Sequence, residues 1–426
     1  MIKNILIVTE AMMPFTNNWG ACQRVYHYAK LMKQNGMNVS IICRNSTNRS
    51  NGTELVEGIE VCGTGGTATV PNEKAESNKK ETNSLREKLK KIDRNVKVVS
   101  DVVRGVSRFV YSEPNVLSGY GSKKWAESVS GEILSQISDK KIDAVILSGP
   151  SFGSFYLADK IKQTGVKLIL DYRDPWTCWY EKYSLAESTE RKAVQLAELV
   201  ITTTAPLSEA LKEKYKSNAV YTIMNGYDKE LWNEIEKKEH RSEKLVISYI
   251  GAIKINGQPG FRDATVFLNT AKEFLKTHDD VEVQFVGVRD PIDSIDAELR
   301  KVITFKNTVP VKESLEMTAE SDVLLIFHTP LDPSGKYIIC GKAFDCLKSG
   351  NYVLSIGDKA YANKQLIEST GIGMHCNNNQ QDILHALEEI YAKWKNGSLG
   401  NMKVDTESYS RDYQNTKLLE LIRALN

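Results

Sequence analysis

The sequence predicts an α/β protein of two tandem Rossmann-like, doubly wound domains with a cleft between them. Three observations carry this. Short β-branched runs alternate with helical periodicity almost throughout, a highly charged segment breaks the alternation once, and 426 residues exceed what one core comfortably supports.

The run NILIVT (4–9) reads as the first strand. Cys22, Val25, Ala29 and Met32 then recur at three- and four-residue spacing, which predicts a helix running to Gly36, and NVSIICR (38–44) is the next strand. DAVILSG (143–149), VKLILDY (166–172), LVITTT (199–204) and AVYTIMNG (219–226) continue the series. Residues 229–244, KELWNEIEKKEHRSEK, hold almost no core-forming side chains and mark the linker. A second series follows: LVISYIG (245–251), VEVQFVG (281–287), DVLLIFH (322–328), YVLSIG (352–357) and IGMHC (372–376), with helices over 263–277 and 381–394. The expected domains are therefore 1–230 and 245–405, and an amphipathic helix within 406–426 is expected to return to the first domain.

Residues 60–124 depart from this rhythm. Leu85, Leu89, Ile92, Val96, Val99, Val103, Val106 and Val110 step by three and four along one helical face, and 79–108 holds ten Lys/Arg against four Asp/Glu. Two readings stay open. The helix packs on the first domain with a solvated basic face, or it forms an interfacial patch for an anionic membrane surface or a lipid-linked substrate.

Composition excludes several classes. Hydrophobic residues make up 41% and charged residues 26%, and a net charge of +2 gives no argument for a nucleic-acid partner. The seven cysteines are odd in number, scattered and without a CxxC pair, which reads as reduced thiols. The six histidines show no ligand spacing, so neither a metal nor any other cofactor is expected. The start reads as a strand rather than a signal peptide, and no apolar run approaches the ~20 residues of a spanning helix. The expected place is the cytoplasm, at most peripheral on the inner face of the cell membrane.

Four loops fall at strand ends, where doubly wound sheets bind ligands. PFTNNWGACQR (14–24) offers Gly20 for close backbone approach and Arg24 one turn into a helix. SGPSFGSF (148–155) and DYRDPWT (171–177) each follow a strand. Arg173 and Asp174 are the catalytic candidates, able to grip hydroxyls or a leaving proton, or else a structural pair pinning the loop. Trp19, Arg24 and Phe152 are the candidate acceptor-binding residues. GAIKINGQPGFRD (251–263) supplies Lys254 and Arg262 among three glycines. PSGKYIICGKAFDCLKSG (333–350) brings Ser334, Gly335 and Lys336 in a small-residue loop, then Lys342 and Asp345 at the start of a helix. Helix amides and dipole attract anions. Lys336, Lys342 and Arg262 would offset the charges of a diphosphate while Asp345 accepts hydroxyl hydrogen bonds, a cradle for a nucleoside diphosphate and its ribose. Each lysine taken singly also reads as a solvated side chain.

The motifs GPSFGSFYLADKIKQTGVKLILDYRDPWT, AELVITTT, IMNGYDKELW, YIGAI, SDVLLI and GKAFDCLKSGNYVLSIG, in this order, resemble bacterial glycosyltransferases of the GT-B fold. The family resembled is the large retaining, family 4-like group that builds capsules, O-antigens and exopolysaccharides, and the likeness spans roughly 1–30 and 143–426. It implies metal-independent transfer from a nucleoside diphosphate sugar to a glycan or lipid-linked acceptor. It further implies that Asp345 binds the ribose and that Arg262 and Lys336 hold the diphosphate, with Lys254 and Lys342 as alternates. Where the family commonly has two glutamates eight apart, this chain has Tyr337 and Asp345, and its usual Gly-Arg after the first strand of the second domain is Gly251-Ala252. A nucleotide-sugar 2-epimerase of the same fold and a catalytically silent binding protein are the alternatives.

Overall fold

The computed structural model describes residues 2–65, 122–179, 186–236, 243–255, 263–328, 333–358, 361–399 and 405–425. The basic stripe of 79–108 and Arg262 lie outside them.

Two sheets form the scaffold. The first comprises β1 (Asn4–Thr9), β2 (Asn38–Arg44), β3 (Gly52–Val56), β4 (Ile59–Thr64), β5 (Ala144–Gly149), β6 (Lys167–Tyr172), β7 (Leu199–Thr202) and β8 (Val220–Thr222), in the order β3-β4-β2-β1-β5-β6-β7-β8. All its pairings are parallel except the β3–β4 hairpin. The second comprises β9 (Leu245–Ile253), β10 (Val281–Val288), β11 (Ile303–Lys306), β12 (Val323–Phe327), β13 (Tyr352–Ile356) and β14 (Gly373–Cys376), all parallel, in the order β11-β10-β9-β12-β13-β14. Parallel strands covered on both faces are apolar throughout. Leu6 and Val8 accordingly enter one core while Ile5 and Ile7 enter the core on the opposite face. In each sheet the chain reverses its direction of winding beside the first strand, at β1/β5 and at β9/β12, which opens a crevice at the carboxyl edge.

The expected helical face of Cys22, Val25, Ala29 and Met32 is buried on helix Trp19–Gln34, and Gly36 follows the helix at φ +79°. Three strands were not read from the sequence, β3, β4 and β11. β3 is an edge strand, β4 runs from Ile59 into the segment set aside as irregular, and β11 is a four-residue edge strand.

The charged segment after Tyr227 is less inert than its composition suggests. It forms a short helix, Lys229–Asn233, and buries Trp232 against Ala343, Phe344 and Leu347 of the second domain. One large aromatic gives a polar segment a packing anchor that an average over the window hides. Helix Arg411–Arg423 buries Leu418, Leu419 and Ile422 in the core that contains Val25 and Ala29 of the first domain. The two chain crossings are bonded together: Tyr227 N donates to Tyr409 O at 3.0 Å and Arg411 N to Tyr227 O at 2.9 Å.

Candidate active site

The carboxyl edges of the two sheets enclose a cleft of about 1440 Å³. Gly20, Arg24, Arg173 and Asp174 line it from the first domain, and Lys254, Lys342 and Asp345 from the second. Among the described residues seven basic against three acidic ones line the cleft, so its field favours an anion.

On the first-domain wall Arg24 and Arg173 are committed to protein groups. Asp171, fully buried near the end of β6, accepts from Arg24 Nε at 2.9 Å and from Ser148 Oγ at 2.9 Å. Arg24 Nη1 also donates to Ile223 O at 2.8 Å, so this guanidinium ties the end of β6 to the end of β8. Its Nη2 alone is buried without a partner among the described residues. Arg173 donates from Nε to Gly149 O at 3.0 Å, from Nη1 to Ala21 O and from Nη2 to Pro150 O. It therefore ties its own loop to the end of β5 and to the first turn of helix Trp19–Gln34, and among the described residues it does so through carbonyls rather than through a carboxylate. Farther along this wall Arg411 Nη1 donates to His27 Nε2 at 3.0 Å and pairs with Asp228 at 3.1 Å. Burial, with the neighbouring Arg411 guanidinium, pushes His27 down to about 4, so its ring is neutral and accepts at neutral pH.

Two expected acceptor residues stand off the cleft. Phe152 is 3% exposed and stacks on Trp176 at 5.1 Å between ring centroids, a core position set by the aromatic cluster under the loop. Trp19, 40% exposed, opens the first helix and meets Tyr26 edge-on at 5.2 Å, beside the cleft and not in its wall.

The second-domain wall is built differently. β9 ends at a bulge where Gly251 (φ +144°) meets Gly287 (φ +96°), and a Cβ on Gly287 would lie 2.4 Å from Gly251 O. Lys342, first residue of helix Lys342–Ser349, lies over this bend with Nζ 3.3 Å from the Tyr249 ring centroid. That ammonium is buried and has no hydrogen-bond acceptor among the described residues. A cation over a tyrosine face gains some electrostatic attraction but no counter-charge. Lys254 and Arg289, both exposed, follow β9 and β10 on the same wall.

Asp345 is half-buried in the cleft, where Trp232 Nε1 donates to Oδ1 at 3.0 Å. Burial pushes its carboxyl above the ordinary aspartate value against the opposing pull of that hydrogen bond. Ser334, Gly335 and Lys336 form a 3-10 turn, Pro333–Lys336. Lys336 is exposed outside the cleft wall, its Nζ 5.3 Å from the neighbouring Tyr337 ring. Tyr337 packs on the first domain's core and accepts through its carbonyl from Thr204 Oγ1 at 2.6 Å.

Sequence reasoning passed over Glu10, Arg44, Arg289 and Arg411, which also line the cleft. Glu10 and Arg289 had a readable signal, since each directly follows a strand. Among the described residues no helix is long and apolar enough to cross a membrane, and no group of His, Cys, Asp and Glu is arranged to hold a metal. All seven cysteines are thiols outside any disulfide.

No protein-family model matches the sequence, and no curated protein matches it. Solved structures do. A glycosyltransferase from Rickettsia africae is 14% identical with a TM-score of 0.58, covering 99% of this chain and 98% of its own. A UDP-forming α,α-trehalose-phosphate synthase from Burkholderia xenovorans is 12% identical with a TM-score of 0.61, covering 99% of both chains. A putative UDP-N-acetylglucosamine 2-epimerase from Listeria monocytogenes is 9% identical with a TM-score of 0.57, covering 100% of this chain and 96% of its own. The likeness is one of fold, and the chain has the GT-B architecture of two Rossmann-like domains facing across a cleft.

Proposed function

We propose that the chain is a glycosyltransferase moving a sugar from a nucleoside diphosphate donor to a glycan acceptor. The observation that carries the reading is Lys342, a buried ammonium without an acceptor among the described residues, at the start of a helix that opens on the interdomain cleft. A diphosphate supplies the missing counter-charge, and the helix's positive end adds to the attraction. Gly251, with no Cβ, lets an oxygen approach the bend, while Lys254 and Arg289 reach further oxygens from the same wall. Arg262 belongs to this donor side in the proposal, and so does the 334–336 turn through its backbone, while the Lys336 side chain lies outside the cleft wall. Asp345 takes the ribose hydroxyls.

In the transfer the bond from the anomeric carbon to the phosphate oxygen breaks and the diphosphate leaves with the electron pair. The acceptor hydroxyl forms the new bond and passes its proton to the leaving phosphate oxygen, the same-face course of a retaining enzyme. Preorganised cations stabilise the developing charge, usually the largest catalytic contribution, and this chemistry calls for no metal. Domain closure keeps out water, the competing acceptor. The family resemblance supports a lipid-linked acceptor in surface polysaccharide assembly at an anionic inner leaflet.

Likeness to an epimerase over the full chain supports a second reading. Incubation with UDP-, GDP- and ADP-sugars separates the two. Nucleoside diphosphate released only with an added glycan acceptor supports transfer. An altered sugar without acceptor supports epimerisation, and binding without turnover on any acceptor supports a silent protein.

A further inference from the structure

Glu10 follows β1 directly and lines the first-domain wall of the cleft. Its two carboxylate oxygens differ. Oε2 stands 4.0 Å from Arg44 Nη1, the outer limit of an ion pair. Oε1 is buried and has no hydrogen-bond partner among the described residues. A buried carboxylate oxygen without a donor is costly to keep, and such groups need an explanation.

The side chains that follow β2 on this wall, Asn45, Ser46 and Thr47, do not supply a donor, because theirs are spent on other protein groups. Asn45 Nδ2 donates to Arg49 O at 2.7 Å while its Oδ1 accepts from Thr47 Oγ1 at 2.8 Å. Ser46 Oγ donates to Phe15 O at 3.1 Å. The cleft thus has an uncompensated cation, Lys342, on one wall and an unsatisfied carboxylate oxygen on the other. The first suits the leaving diphosphate. The second suits a group that donates hydrogen bonds.

We propose that Glu10 binds the acceptor, accepting a hydrogen bond from a hydroxyl of a neutral sugar. The inference rests on the glycosyl-transfer reading above and narrows it: the acceptor's reacting end is a sugar hydroxyl, not a phosphate or carboxylate, which has no hydrogen to offer the unpartnered oxygen. A hydroxyl gives the carboxylate its donor, and the adjacent Arg44, 40% exposed, can receive a neighbouring sugar oxygen.

The test uses the full chain loaded with UDP and a set of methyl hexopyranosides, observed by saturation-transfer NMR, with UDP affinity measured separately by calorimetry. Glu10→Ala should weaken glycoside binding about tenfold or more, and Glu10→Gln, which keeps one acceptor oxygen, should restore part of it. UDP affinity should stay within about twofold of wild type in both variants. With any donor that turns over, KM for the acceptor should rise while KM for the donor holds. Glycoside binding unchanged in both variants overturns the proposal, as does equal loss of UDP and glycoside, or a wild-type protein that binds UDP but no neutral glycoside. A wild-type protein that neither binds UDP nor hydrolyses any nucleotide sugar overturns the transfer reading itself, so the two failures are told apart.

Discussion

The two walls of the cleft carry similar charges and use them in opposite ways. On the first-domain wall the guanidinium groups of Arg24 and Arg173 are spent on Asp171 and on carbonyls of the strand ends. On the second-domain wall Lys342 is held over Tyr249 with no acceptor among the described residues. A basic residue in a cleft is therefore not yet a ligand-binding residue. The partner decides: a satisfied cation holds the scaffold, and an unsatisfied one is poised for an incoming anion.

The contrast breaks most sharply at Arg24. Arg24→Met leaves Asp171 buried without its cation and should cost about 3–5 kcal/mol of stability, the range for breaking one side of a buried pair. Urea unfolding followed by circular dichroism measures it. A variant as stable as wild type would mean that the first wall's arginines are not structural.

Lys342→Met should behave in the reverse sense. It removes a desolvated charge that has no acceptor among the described residues, so stability should stay within about 0.5 kcal/mol of wild type. UDP affinity should fall by about 1.5–3 kcal/mol, the worth of a hydrogen bond to a charged group. Calorimetric titration with UDP and the same unfolding experiment read the two effects. Loss of stability with UDP affinity intact would remove the distinction between the walls.

The smallest effect is expected at Lys336. Its side chain is exposed outside the cleft wall, so Lys336→Met should change UDP affinity by less than about 0.5 kcal/mol. A larger loss in the same titration would show that the 333–336 turn moves onto the bound diphosphate, the role that the family resemblance implies for this lysine.

The fold was legible for a local reason. A strand covered on both faces must be apolar along its whole length, and runs such as Asn4–Thr9 and Val323–Phe327 announce this within five or six residues. The helical face of Cys22, Val25, Ala29 and Met32 is equally local, since its spacing follows from 3.6 residues per turn. What escaped was short or diluted: the edge strand Ile303–Lys306, and Trp232 inside a charged segment. The site was legible only as residue types at strand ends, which is how Gly20, Arg173, Lys254 and Lys342 came to be named together.

By itself, then, the sequence determined two doubly wound domains and the strand ends on which basic residues cluster, because periodicity and burial are properties of adjacent residues. Only the tertiary structure decided which of those residues are spent. Arg173 meets the carbonyls of Ala21, Gly149 and Pro150, and Trp232 reaches Asp345 across 113 positions of chain. Phe152 and Phe155, both near the end of β5, turn into the core because Trp176, Tyr172 and their neighbours close over them. Hydrogen-bond partners and counter-charges are chosen between segments distant in the chain, and no local pattern encodes that choice.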